Sequence, residues 1–490
     1  MKSIDDPSEM TYLLSEIAKC SVPKRYIVTL MAFFGLFNAY CMRVNVSVAI
    51  VAMVNHTENA NVNKSILDTE CPGLVDVTLP VEEPVKGERY NWNPTQQGFI
   101  LSAFFYGYFI AMLPGGYVAK KLGAVRVFGA SVLSTAILTL LTPLVVSWGL
   151  VPFLVLRFLE GIGEGACYPS VIAIISNWSP KLERSRITSI IFTGAPIGNV
   201  FSFIISGLLS SSDVLGGWPS VFYVFGALGV IWYIIWAFLI YETPYTHPSI
   251  TEEEKLLFKG EISMRNKDLK VPWKSIATSI PFWAVVVTNF GHMFGFNIMI
   301  TEIPTYLNSI LHFNIKSSGI LASLPNISDA LGAWTGGFIS DKLRSSEKLN
   351  ITTIRKVCNS IAGFVPTICM VAIAFSGCHS VVIIFLLTFG LFLNGFKYAG
   401  YTATAVDMTP DFAGVIYGLT NGIGNLSGVI APTMVGAIIS NGVTIANWSR
   451  VFCITAGVYF FTTAFFAVFA SSELQPWGKA EPENPKEEKS

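Results

Sequence analysis

Apolar stretches of about 20 residues recur along this chain, and as helix each is long enough to cross roughly 30 Å of hydrocarbon. Twelve are read, centred near residues 37, 108, 135, 164, 198, 230, 294, 329, 366, 392, 425 and 460. Inside a bilayer no water is present to bond a loose backbone group, so segments of this length cross as helices. Composition agrees. Of 490 residues, 52% are hydrophobic and 13% charged, about half the roughly 25% charged fraction of a soluble globular chain. A soluble exterior would have too little charge to cover it, and lipid is the solvent that removes the need.

Lysine plus arginine number 32 and aspartate plus glutamate 32, a formal net charge of zero. That leaves no footprint for nucleic acid. The eight cysteines form no CxxC pair. Cys41, Cys167, Cys358, Cys369 and Cys453 lie in apolar stretches, where a thiol acts as a small hydrophobe. The pattern implies neither a metal site nor a disulfide framework. Cys71 and Cys378 fall in expected outer loops, where a single disulfide is the one alternative. Five scattered histidines and the lack of any nucleophile–base or metal-ligand spacing argue against an enzyme, and no organic cofactor is expected.

Orientation follows from basic residues beside the spans. Lys24 and Arg25 precede the first; Lys120, Lys121 and Arg126 join the second to the third; Lys181, Arg184 and Arg186 join the fourth to the fifth; Lys342, Arg344, Lys348, Arg355 and Lys356 join the eighth to the ninth. All fall on one side of a twelve-span chain. The expected organisation is a cytosolic tail (1–25), a first six-helix bundle (26–241), a cytosolic linker (242–280), a second bundle (281–471) and a cytosolic tail (472–490). The polar start lacks the features of a cleaved secretory signal, so the first span is expected to serve as its own. The outer loop 55–93 carries Asn55 and Asn63 in glycosylation sequons. Glu9-Met-Thr-Tyr-Leu13-Leu14 fits an acidic dileucine pattern that a sorting adaptor would read, which makes a lysosomal or endosomal membrane an alternative to the plasma membrane.

A weak internal repeat supports two pseudo-symmetric halves. Trp218-Pro-Ser-Val221-Phe222 recurs as Trp448-Ser-Arg-Val451-Phe452, and Gly194 and Gly198 recur as Gly424 and Gly428. Gly116, Lys120, Lys121 and Leu122 correspond to Gly337, Asp341, Lys342 and Leu343. Duplicated halves place a substrate site at the midplane between them. The fold class is therefore read as an all-α membrane protein of twelve transmembrane helices in two six-helix bundles.

Intramembrane charge is the best functional pointer, because each such charge costs at least about 2.5–3.5 kcal/mol to insert. Arg43, in Tyr40-Cys-Met-Arg43-Val-Asn45, offers a planar guanidinium that clamps carboxylate or phosphate bidentately. Arg157, Glu160 and Glu164 are spaced by three and four, so they share one helical face. A glutamate there could carry a coupling proton. His292 and Lys397 add further candidate anion contacts, while Asp329 and Asp407 read as structural. Gly116, Lys120, Lys121, Gly123 and Arg126 form a basic loop between tightly packed helices, with Asp341 as its counterpart in the second half.

These residues resemble the anion/cation symporter branch of the major facilitator superfamily, which contains sialin-like carriers, vesicular glutamate carriers and type I sodium/phosphate cotransporters. The likeness rests on Arg43-Val-Asn45, Phe104-Phe-Tyr106-Gly-Tyr, Pro114-Gly-Gly-Tyr117, Arg157 through Gly165 with Pro169, Trp178-Ser-Pro-Lys-Leu-Glu183-Arg184 and Pro304-Thr-Tyr306. It implies the major facilitator fold, alternating access by a monomer, and symport of a small anion such as phosphate or a sugar acid, driven by H+ or Na+. Arg43 and Arg157, with Tyr106, His292 and Lys397, would hold the anion; Glu160 and Glu164 would handle the proton; the Gly116–Arg126 loop would brace the gate. Several positions depart from the branch pattern. Ile172 and Leu101 stand where histidines occur, His292 where the glutamate carriers have arginine, and Thr404-Ala405 where an Asn-His pair is common. These departures argue against glutamate and leave phosphate or another organic anion. A receptor or scaffold retaining the fold without transport is the competing reading.

Overall fold

The computed structural model describes residues 23–55, 88–180, 183–258, 271–346, 348–409, 412–440 and 442–478. Glu9, Leu13, Leu14, Asn63 and Cys71 lie outside them. The first half contains α1 (Lys24–Met53), α2 (Pro94–Leu122), α3 (Ala124–Val146), α4 (Leu150–Gly165), α5 (Cys167–Trp178), α6 (Arg184–Ser210) and α7 (Pro219–Leu239). Short helices α8 (Glu252–Leu256) and α9 (Trp273–Ala277) follow. The second half contains α10 (Ile280–Thr301), α11 (Ile303–Ser309), α12 (Ile315–Ser345), α13 (Ile351–Phe375), α14 (Ser380–Asn394), α15 (Tyr401–Met408), α16 (Ala413–Asn425), α17 (Ser427–Ile439) and α18 (Ile445–Phe469).

Among the described residues, nine helical segments are long and apolar enough to cross a membrane. The centres expected near 108, 164 and 329 fall in α2, the α4–α5 pair and α12, which do not meet that measure, so the count of twelve rests on the sequence. Large apolar side chains face outward: Phe238 is 78%, Phe375 81% and Val381 80% exposed. Surfaces of this kind are at home against lipid tails.

Local chemistry sets the helix starts. Asn93 accepts from the Gln96 backbone N–H at 2.8 Å while Gln96 Oε1 accepts from the Asn93 N–H at 2.9 Å, and Pro94 occupies the first helical position; this is a reciprocal capping box. Asn314 and Asn350 cap α12 and α13, and Thr444 caps α18 in the same manner. Asn55 sits just beyond α1, its backbone N–H bonded to the Tyr90 carbonyl at 2.9 Å.

The internal repeat is visible in three dimensions. Trp218 and Trp448 are 2% and 1% exposed, and each packs on the phenylalanine four residues later, at 6.0 Å for Phe222 and 6.2 Å for Phe452. Of the two readings of the cysteines, the alternative of a single disulfide holds for Cys378, which is disulfide-bonded. Cys41, Cys167, Cys358, Cys369 and Cys453 are free thiols.

Within the first half α1 packs on α6, α2 on α4, and α3 on α7; within the second, α12 packs on α14 and α13 on α18. The halves meet where α6 crosses α12 and α2 crosses α17. Backbones nearly touch at these crossings. A Cβ on Gly98 would lie 2.6 Å from the Pro432 carbonyl oxygen, and one on Gly319 would lie 2.4 Å from that of Phe203. Both crossings sit at the end opposite the basic loops. Toward the basic loops, by contrast, Gly418 is exposed and a Cβ on it would meet nothing within 4 Å. The halves are closed against each other at the outer end.

A side chain forced into the outer crossing should part it. Gly319→Val should therefore shift the population away from this conformation. Maleimide labelling of a Gly418→Cys reporter from the basic-loop face should fall in the double variant, and unchanged labelling would show that the crossing tolerates the bulk.

Candidate functional site

The fourth-span motif delivers the face its spacing requires. Arg157, Glu160 and Glu164 are 2%, 1% and 1% exposed. Arg157 Nη1 donates to Glu160 Oε2 at 2.5 Å, one turn along α4. The other Glu160 oxygen accepts from the Thr139 hydroxyl of α3 at 3.4 Å, and the Thr142 hydroxyl, which also contacts the Leu138 carbonyl at 3.2 Å, lies 3.4 Å from it. Glu164 takes a different partner: Arg43 Nη2 of α1 donates to its Oε1. Arg157 Nη2 donates to the Arg43 backbone carbonyl at 3.3 Å, tying the two arginines together. Sharing one helical face thus does not mean sharing one partner. Seven residues put Glu164 two turns, or roughly 10.5 Å, along the helix from Arg157, and Arg43 of the neighbouring helix is nearer.

Aromatic rings complete the enclosure. The Arg43 guanidinium lies 4.5 Å from the Tyr40 ring centre, 4.6 Å from Tyr108 and 5.1 Å from Phe104. Phe104 also faces the Arg157 guanidinium at 5.3 Å, so one ring serves both cations. The Tyr40 and Tyr168 hydroxyls are 2.7 Å apart. Close approach of α2 to α4 depends on glycine: a Cβ on Gly161 would fall 1.9 Å from the Phe104 carbonyl oxygen, and one on Gly107 2.0 Å from that of Phe158. Tyr106 is not in this cage. Two residues from both Phe104 and Tyr108, it points to the opposite side of α2 and is 43% exposed. The four-residue spacing of Phe104 and Tyr108 was the signal that identifies the ring-bearing face.

Several polar atoms here have no partner although fully buried: Arg43 Nε, Arg157 Nε, Glu164 Oε2 and both side-chain atoms of Asn45. Buried polar groups are normally bonded. Unused donors on two adjacent guanidiniums suit an anionic ligand, whose oxygens accept from both.

His292 and Lys397 form a separate cluster in the second half. Lys397 is 3% exposed; its Nζ donates to Asp329 Oδ1 at 3.0 Å and to Asn394 Oδ1 at 2.7 Å. Asn394 Nδ2 lies 3.0 Å from His292 Nδ1. Asp329, read as merely structural, is thus the counter-charge of Lys397. Among the described residues no hydrogen bond or ion pair joins this cluster to Arg43 or Arg157.

The expected gating loop is held by a carboxylate that sequence reasoning missed. Gly123 has φ +96°, and Glu242 caps α3 behind it, accepting from the Ala124 and Val125 N–H groups at 2.5 and 3.1 Å. A Cβ on Gly123 would lie 2.8 Å from that carboxylate. Gly116 rests against Pro169, and Lys121, Arg126 and Asp341 are exposed. In the second half the matching brace is Arg355, whose Nε donates to Asp407 at 2.8 Å and whose Nη1 donates to Ser340 Oγ and the Ala399 carbonyl, each at 3.0 Å. Asp407 is structural, as expected.

Comparison with known proteins agrees with this architecture. The Major Facilitator Superfamily profile matches residues 30–432. The Drosophila melanogaster protein named "Putative inorganic phosphate cotransporter" is 38% identical over 470 residues, covering 94% of this chain and 88% of its own. Human sialin is 36% identical over 466 residues, covering 94% and 92%. Among solved structures, a bacterial homologue of the human lysosomal transporter Spinster, in an inward-facing and unoccupied conformation, superposes with a TM-score of 0.68 at 16% identity, covering 93% of this chain and 100% of its own. The chain is a multi-pass membrane transporter belonging to the major facilitator superfamily, in its anion/cation symporter branch.

Proposed function

We propose that the protein is a proton-coupled symporter of a small anion, phosphate or an organic acid, with Arg43 and Arg157 as its anion contacts. One observation carries the reading: two arginines and two glutamates sit together, buried, with charges that sum to zero. An anion entering such a site leaves it negative, and a net charge in the bilayer interior is costly. A proton on Glu164 or Glu160 restores neutrality. It also frees the guanidinium that the carboxylate had occupied, so proton and anion favour each other's binding, and that favour is reciprocal. Relatives named for phosphate cotransport and sialin lend support to the substrate class.

Because the proton enters with the anion, uptake into vesicles should rise as the external pH falls. The test is uptake of phosphate, sialic acid, a dicarboxylate and glutamate into proteoliposomes under imposed proton or sodium gradients. At least one anion of the panel other than glutamate should accumulate under a proton gradient. Each pH unit supports up to about tenfold accumulation per coupled proton. Accumulation that follows sodium alone would overturn proton coupling.

Two variants sort the roles. Glu164→Gln should keep exchange at zero gradient while losing proton-driven accumulation; full accumulation would remove Glu164 from the coupling step, and the same measurement on Glu160→Gln decides between the two. Arg43→Lys keeps the charge but loses the planar fork, and uptake should drop by about 10- to 100-fold, the value of a charge-assisted hydrogen bond.

A further inference from the structure

Among the described residues, one buried carboxyl stands outside both charge clusters without an ion-pair partner. Glu302 lies at the break where α10 ends and α11 begins, two residues before Pro304, and is 3% exposed. α11 packs on α1 of the first half and on α12, so this carboxyl sits at the junction of the halves on the closed, outer side. Among the described residues no cation lies within ion-pair distance of it. The charged and titratable groups on the surrounding helices are committed elsewhere: Arg43 of α1 to Glu164, Asp329 of α12 to Lys397, and His292 of α10 to Asn394. Lys316, at the start of α12, makes no ion pair with it, and Tyr306 of α11 packs on Trp448 and Phe452.

Its one polar neighbour among the described residues is informative. The Thr301 hydroxyl lies 2.8 Å from the Asn297 carbonyl oxygen and 3.3 Å from Glu302 Oε1. A hydroxyl has one proton to give, and the shorter contact, to an oxygen that can only accept, has first claim on it. At 3.3 Å the contact offers Glu302 at best a shared proton, too little to hold a buried carboxylate, whereas a protonated carboxyl can use the same contact as donor. Energetics point the same way, since a buried carboxylate without a counter-charge is far more costly than the neutral acid. Asn297 in turn donates to Ser427 Oγ of α17 at 3.0 Å, and α17 is the helix that closes against α2. Proton, hydrogen-bond chain and outer crossing are thus contiguous.

We propose that Glu302 is a second proton-binding site of this carrier, filled from the outer side as the outer crossing closes and emptied there as it opens. An open crossing hydrates the carboxyl and lets it ionise; a closed one accepts it only with its proton. Closure is therefore favoured as the outer pH falls. Its role in transport rests on the symport reading above, but the site itself does not.

Two measurements test it without any transported anion. In membranes, labelling of a Gly418→Cys reporter from the basic-loop face should increase as the outer pH is lowered between about 9 and about 5, the span over which a buried glutamate titrates, with a slope of up to about tenfold per pH unit. Adding Glu302→Gln, which is neutral at every pH, should hold labelling high and remove this dependence. An undiminished pH dependence in that variant overturns the proposal. Should Glu302→Gln fail to fold, the protein with Glu302 intact answers alone: N,N′-dicyclohexylcarbodiimide, which modifies protonated carboxyls in apolar surroundings, should label the Glu302 peptide at low outer pH and progressively less at high pH, read by mass spectrometry. A Glu302 peptide that stays unmodified at every pH also overturns it. A protein that passes both measurements yet moves no anion of the uptake panel would sink the symport reading alone.

Discussion

Charge neutrality in a medium that cannot solvate ions is the constraint on which the rest of this molecule depends. A lone guanidinium at the depth of Arg43 or Arg157 would be expelled or would drag water inward. Each is instead matched to a glutamate, within one helix for Arg157 and across two helices for Arg43. The match does more than permit insertion. Because Arg157 also donates to the Arg43 backbone, α1 and α4 are locked in register, and Phe104 of α2 covers both cations while Tyr108 covers Arg43. The neighbourhood that makes the charges tolerable also fixes their geometry toward a ligand.

Such proximity needs backbones closer than side chains allow. Gly107 and Gly161 answer that need between α2 and α4, and Gly98 with Gly436, and Gly207 with Gly319, answer it again between the halves. In lipid, where apolar side chains gain little by leaving their surroundings for one another, close packing of small residues supplies much of the association. The same device thus serves a permanent contact inside one bundle and a separable contact between bundles. What distinguishes them is the ion pairing: inside the first bundle Arg43 of α1 pairs with Glu164 of α4 beside the α2 contact, whereas the crossing between the halves has no ion pair among the described residues. The outer crossing is held by packing and a few neutral hydrogen bonds, a combination suited to repeated opening.

Much of this was legible in the sequence, for identifiable reasons. Helical spans announce themselves by length and lack of charge, and Arg157, Glu160 and Glu164 announce a shared face by spacing alone. The Trp218 and Trp448 repeat could be read because a duplicated fold keeps its largest buried anchors. Pairings between helices were beyond reach: nothing in the spacing of α4 says that Glu164 answers Arg43, or that Asp329 answers Lys397 some seventy residues later. Tyr106 was misplaced because a motif was taken as a block rather than face by face. Glu242 and Glu302 were missed for opposite reasons. The first lies in a linker where carboxylates are common, and the second sits at a helix break, where a glutamate reads as a polar interruption and its burial is a purely tertiary fact.

On the symport reading, neutrality also explains why the coupling can be tight without any moving gate dedicated to it. Empty, the four-residue site is neutral and its bundle can reorient at little electrostatic cost. Loaded with a monoanion and one proton, it is neutral again. The two miscoupled states, anion without proton and proton without anion, each carry a net charge across the low-dielectric midplane and are disfavoured by the same term that penalises any buried ion. A dianion would need two protons, and the site holds two glutamates to receive them. Stoichiometry is then set by the charge of the substrate rather than by a fixed count of acidic residues. Lys397 with Asp329 contributes nothing to this balance, because that pair is already neutral in itself. That pair can therefore move as an electrically silent partner while the four residues of the first half carry the charge that the substrate must balance.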